Sequence, residues 1–171
     1  MKTLRGLFAR QPDPLLARAD ILVRAANTNA TFVFSSLSDQ FLFLRDTDVE
    51  HWDFILTVAG VFIAVTRLHN LQLGETRERK IMTRVSERLA QWNATHGRQG
   101  FEHCKEFFER TCSGLSATAH EPRYVASDAI GAWIVWDIVG HAPESEDERE
   151  LTRRIGVIVT HEFFNWWKEP A

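Results

Sequence analysis

The chain is short of cysteine and proline, and it lacks the motifs by which common enzymes are recognised. Two cysteines in 171 residues, Cys104 and Cys112, cannot build the dense disulfide framework of a small secreted domain. Both lie in a segment of helical pattern, where eight residues of rise set their Cα atoms about 12 Å apart. A disulfide needs roughly 4.4–6.8 Å, so the two thiols are expected to stay unpaired, which points to a reducing, cytoplasmic compartment. No Cys-x-x-Cys is present, which excludes a zinc ribbon on spacing. The phosphate-cradling G-x-x-x-x-G-K-[ST], the dinucleotide G-x-G-x-x-G, the metalloprotease H-E-x-x-H and the hydrolase G-x-S-x-G are all missing. A di-iron bundle needs Glu-x-x-His on its helices, and none occurs. No catalytic residue, metal ligand or cofactor is therefore assigned.

Charge of one sign is lacking too. The formal charge is −3 and the isoelectric point near 6.2, so no overall field attracts nucleic acid or an anionic membrane. A basic stripe on one helical face, Arg77, Lys80, Arg84 and Arg88, is diluted by Glu75, Glu78 and Glu87 and has no interleaved aromatics for base stacking. It reads as a solvated face, and a nucleic-acid partner is not expected. Long hydrophobic runs are missing as well. The best membrane candidate, residues 54–66, is thirteen uncharged residues against about 20 for a span, so a buried core helix is expected and no transmembrane segment. Lys2, Arg5 and Arg10 are followed by no apolar region, so no secretory signal is read there. Residues 1–12 are expected to be a flexible lead into one domain spanning 1–171.

All five prolines avoid residues 15–121, and proline is excluded from helix interiors by its ring clash and its missing N–H. Apolar residues fill that stretch at steps of three and four. The expectation is an all-α fold, a single compact bundle of six or seven helices. A first helix starts near Pro14 with Leu15, Leu22 and Ala26 on its inner stripe. Residues 31–44, with Phe34, Leu37, Phe41 and Leu44, are read as a second helix, although two short strands fit the same pattern. Thr47-Asp48-Val49-Glu50 has the form of a capping box that opens a helix over about 48–73. Its two apolar faces make it the centre of the bundle. An amphipathic helix over 75–96 closes on Gly97, a further one runs from Phe101 to about Thr111, and 114–121 is a loop. Residues 124–140 and a last helix, opened by Ser145-Glu146-Asp147-Glu148 and running to about Trp167, complete the chain. Gly74, Gly97, Gly114 and Gly140 are taken as punctuation between helices. Twelve Phe and six Trp supply enough burial, about 150–250 Å² each, for a core that needs no metal or disulfide.

Two sets of residues stand out. Asp128 and Asp137 sit among Ile130, Trp133, Ile134 and Trp136, and His161 and Glu162 sit among Ile158, Val159 and Phe163. A buried charge needs a partner. If the last two helices form an antiparallel hairpin turning near Pro143, counting back pairs Asp137 with Arg153 and Asp128 with His161. Asp128, His161 and Glu162 are then a candidate pocket, in which a histidine held by a carboxylate can act as acid, base or ligand. The second set is the C-terminal Phe163, Phe164, Trp166 and Trp167. These rings span more than one helical turn and cannot all face one neighbour. They form a candidate interface, to another protein or to a second copy as a homodimer, unless the terminal helix is wedged between two others. The leading functional expectation is a non-enzymatic helical interaction protein, a regulator, adaptor or inhibitor. The alternative is a small-ligand protein or enzyme with an inter-helix pocket using Asp128 and His161.

Overall fold

The computed structural model describes residues 13–115 and 122–168. Residues 1–12, and all but the first two residues of the expected 114–121 loop with its His120, lie outside that range. The described residues contain six α-helices and no strand: α1 (Pro14–Leu37), α2 (Val49–Leu68), α3 (Glu75–Trp92), α4 (Gly97–Leu115), α5 (Pro122–Val139) and α6 (Glu146–Phe164). Short 3-10 turns follow α1 at Leu42–Asp46 and α2 at His69–Leu71.

α2 is the central helix, as its two apolar faces require. Every residue from Ile55 to Val65 is buried, and α1, α4, α5 and α6 all pack on it. Each fully buried aliphatic or aromatic side chain here contributes about 1.5–3 kcal/mol relative to exposure. Two indoles fix the neighbours of α2 at opposite ends: Trp52 Nε1 donates to the Ala30 carbonyl of α1 at 3.0 Å, and Trp167 Nε1 donates to the Ala64 carbonyl of α2 at 2.6 Å. By length and composition, Val49–Leu71 is also long and apolar enough to cross a bilayer, and 67% of its apolar window is buried by the rest of the protein.

Local chemistry moves several boundaries. Residues 31–44 are not a helix of their own. Residues 31–37 finish α1, because no proline, glycine or charge interrupts the stretch from 25 to 38, and the remainder turns through the 3-10 segment. Asp48, not Thr47, caps α2. The Thr47 N–H closes the preceding turn on the Leu44 carbonyl at 3.0 Å, and the Asp48 carboxylate accepts from the Glu50 N–H at 3.0 Å. Gly97 opens α4 instead of closing α3, which ends on Asn93. A Cβ at Gly97 would sit 2.6 Å from the Leu89 carbonyl oxygen, so only glycine lets α4 start this close to the end of α3. Gly114 lies inside α4. Gly74 and Gly140 do punctuate, both at φ +79°, which L side chains rarely adopt.

The α5–α6 hairpin forms, but its register differs from the one counted back from Pro143. Gly131 faces Thr152 and Gly156 faces Ser127, so closely that a Cβ on either glycine would collide with the opposite backbone carbonyl. Packing of these bare backbones, not equal helix lengths, sets the register. It places Asp128 and His161 at different levels of the hairpin and leaves Arg153 to pair with Glu146 and Glu150 on its own helix.

Candidate functional site

The proposed Asp128–His161–Glu162 pocket is not assembled. Asp128 is exposed, and His161 is 85% exposed with its nearest acidic partner, Glu162, 3.7 Å away along the same helix. Glu162 lines a groove between α6 and α1, together with Phe163 and Trp166, and without the other two.

The C-terminal aromatics do not form an exposed patch either. Phe163 is buried against α2, with its ring edge 2.8 Å from where a Cβ on Gly60 would lie. Trp167 is buried on the Ala64 carbonyl, and Phe164 is half-buried beneath the Arg67 guanidinium, 3.8 Å from the ring centre. Trp166 is half-buried, and its carbonyl accepts a hydrogen bond from Arg18. The end of α6 is wedged between α1 and α2 because consecutive rings find neighbours on both sides.

A charge-poor outer surface lies on α1 instead, carrying Ile21 and Phe32; Leu42, Val49, Trp136 and Val157 are exposed singly elsewhere. The exposed positions of α1 are Pro14, Ala17, Ile21, Arg24, Thr28, Thr31, Phe32, Ser35 and Ser36, and Arg24 is the single charge among them. Phe32 is 76% exposed and Ile21 42%. Ile21, Ala25, Thr28 and Phe32 follow one another at helical spacing and form one wall of the groove, of about 520 Å³, whose other wall is Glu162, Phe163 and Trp166. Other outer faces are heavily charged. On α3, Arg77 grips Asp13 through two 2.8 Å bonds, while Arg84 and Arg88 both reach Asp20 of α1. The basic stripe is thus largely a clasp on α1 rather than a phosphate surface. Sequence reading missed the α1 face because splitting the helix near residue 31 broke the stripe. The detectable signal was the run of fourteen residues, 25–38, without a charge.

A second polar site involves Asp137, for which a partner was expected. That partner comes from α2 and α4, not α6. His51 Nε2 lies 3.2 Å from Asp137 Oδ1 and 3.2 Å from its backbone carbonyl, and His103 Nδ1 lies 3.8 Å from Oδ2. The carboxylate, 20% exposed, is held between two imidazoles and ties three helices together. His51 also lines a cleft of about 560 Å³ with Phe43, Asp46, Thr47, Asp48, Ile138, Val139 and Glu148. Below this knot Cys104 is fully buried, and burial, with the Asp137 charge adding, pushes its thiol well above the usual range. Burial also raises the half-buried Cys112 thiol. Such thiols are poor nucleophiles and poor metal ligands. Among the described residues no group of three histidine, cysteine or acidic side chains is arranged to hold a metal ion. Asp137 turns its two oxygens toward different rings, so the carboxylate bridges His51 and His103.

No protein-family model, curated protein or solved structure matches this chain.

Proposed function

We propose that the protein is a non-enzymatic helical interaction protein that works by macromolecular contact, with the outward face of α1 as its contact surface. The observation that carries this reading is the charge-poor, partly aromatic α1 face with Phe32 at its edge. Protein contact surfaces are depleted of charge at their centres and enriched in aromatics. The rings first suspected, Phe163, Phe164, Trp166 and Trp167, then support the contact from behind, with Trp166 and Phe163 forming the groove's far wall. On this reading α2 is the core helix of a water-soluble, cytoplasmic protein; the burial of 67% of its apolar window supports its place in a core. A photo-activatable phenylalanine at position 32 should trap a macromolecule in cells, whereas one at exposed position 87 on α3 should not. Equal trapping from both positions, or none from either, contradicts the reading.

A second reading is supported by the His51–Asp137–His103 knot beside the 560 Å³ cleft: a small-ligand protein in which these residues replace the Asp128–His161 pair. Native mass spectrometry of the purified chain tests it. A retained small molecule lost in Asp137→Asn favours the ligand reading, and a bare chain counts against it.

A further inference from the structure

We infer that the partner on the α1 face is a second copy of this chain, packed antiparallel across α1 about a dyad at the level of Ala26 and Asn27. This rests on the contact reading above and adds the identity of the partner. Any helical stripe is symmetric in its spacing, so the information lies in residue size and charge. Around the dyad, Ile21 faces Phe32 of the other copy, and Ala25 faces Thr28. Ile21 and Phe32 flank a centre of Arg24, Ala25 and Thr28, so the two helices interlock at both ends. Phe32 projects from each copy, 76% exposed, and each copy offers a groove of about 520 Å³ lined by Ala25, Phe163 and Trp166. Knob and groove therefore lie on the same surface, which is what an isologous two-fold contact requires.

Charge agrees with this arrangement. The groove walls carry opposite signs, Arg24 on α1 and Glu162 on α6, and no ion pair within 4.0 Å joins them in one copy. A dyad that brings two grooves together sets each arginine toward the other copy's glutamate. The area is modest. A 24-residue helix is about 36 Å long and about 10 Å across, so α1 on α1 covers roughly 700 Å² in total. That is below the size of a standard specific interface. The dimer is therefore expected to be weak, forming in the micromolar range.

The test is sedimentation velocity on the full chain from about 1 to 200 µM, with crosslinking from position 32 on the same preparation. The expected result is a reversible shift toward twice the monomer mass. Phe32→Glu should weaken it at least tenfold while leaving the circular dichroism melt of dilute protein unchanged. Arg24→Glu and Glu162→Arg should each weaken it, and the double reversal should restore it. A chain that stays monomeric throughout overturns the inference, as does a dimer indifferent to all three variants. If the monomeric chain still crosslinks a different protein from position 32 in cells, the dimer falls and the contact reading stands. If position 32 crosslinks only to residues 1–12 of its own chain, both fall.

Discussion

Substituting Gly156 by alanine probes the close crossing of α5 and α6. By intrinsic propensity alone, replacing a helical glycine with alanine should stabilise by about 1 kcal/mol. The structure predicts the opposite sign. The new methyl would overlap the Ser127 carbonyl oxygen and lie 2.9 Å from its carbon and 3.2 Å from its Oγ. Backbone atoms cannot rotate away as a side chain can, so α5 and α6 must separate by about 1 Å. That loosens Ile130, Ile134, Leu151, Ile155 and Val159, all buried. Overpacking of this kind costs about 1–3 kcal/mol, and a backbone collision belongs at the upper end. Net of propensity, the variant should lose about 2 kcal/mol. For a chain of this size that lowers Tm by about 4–8 °C in a thermal melt followed at 222 nm. Gly131→Ala meets the Thr152 carbonyl in the same crossing and should behave alike. Because one displacement relieves both collisions, the double variant should fall short of the summed losses by about 1 kcal/mol. Gly60→Ala meets only the movable ring of Phe163 and should cost less. A rise in Tm for Gly156→Ala, or full additivity with Gly131→Ala, would refute the close crossing that sets the hairpin register.

Other outcomes follow from the same geometry. Ser145→Ala removes the hydroxyl that accepts from the Glu148 N–H at 3.1 Å and should lower stability by about 1 kcal/mol, measured by urea unfolding. The backbone amides of Ser145 and Glu144 hold the Glu148 carboxyl below its ordinary value of 4.5. Its stabilisation is therefore present above that value and fades as pH falls through the lowered one. Unfolding midpoints of Glu148→Ala and wild type should differ at pH 6 and converge at strongly acidic pH, and a difference that persists there would exclude the carboxylate as its source. His141 has the opposite sign. The Ala142 carbonyl, with Glu148 and Glu144 nearby, raises it above 6.5, so its contribution is full below 6.5 and lost as pH rises through the raised value. A thiol reagent at neutral pH should modify the half-buried Cys112 slowly and Cys104 only after denaturation. Rapid reaction of both thiols in the native protein would contradict the burial described for α4.

How much could be read from the sequence depended on which contacts were local. Helix identity, the central place of α2 and the Ser145–Glu148 box were readable because periodicity and capping act within a few residues. The α1 and α2 boundaries were misplaced where two local signals competed, Thr47 against Asp48 and residues 31–37 against 42–46. The candidate site was mostly not readable. Asp137 was rightly singled out as needing a partner, but the partner depended on the α5–α6 register, fixed by Gly131 and Gly156 approaching across the hairpin. Aromatic content marked the end of α6 as sticky. Whether those rings face water or α2 is decided by Gly60, 103 residues before Phe163 in the chain, and no local pattern carries that information.

The open α1 face can be measured without knowing any partner, through the stability of Phe32→Gln at submicromolar concentration. If Phe32 projects into solvent as described, its replacement stays within about 0.5 kcal/mol of wild type, and Tm moves by no more than about 2 °C. A loss of 8 °C or more, the size expected when a buried phenylalanine is truncated, would mean that Phe32 packs within its own chain and that α1 has no free face to offer.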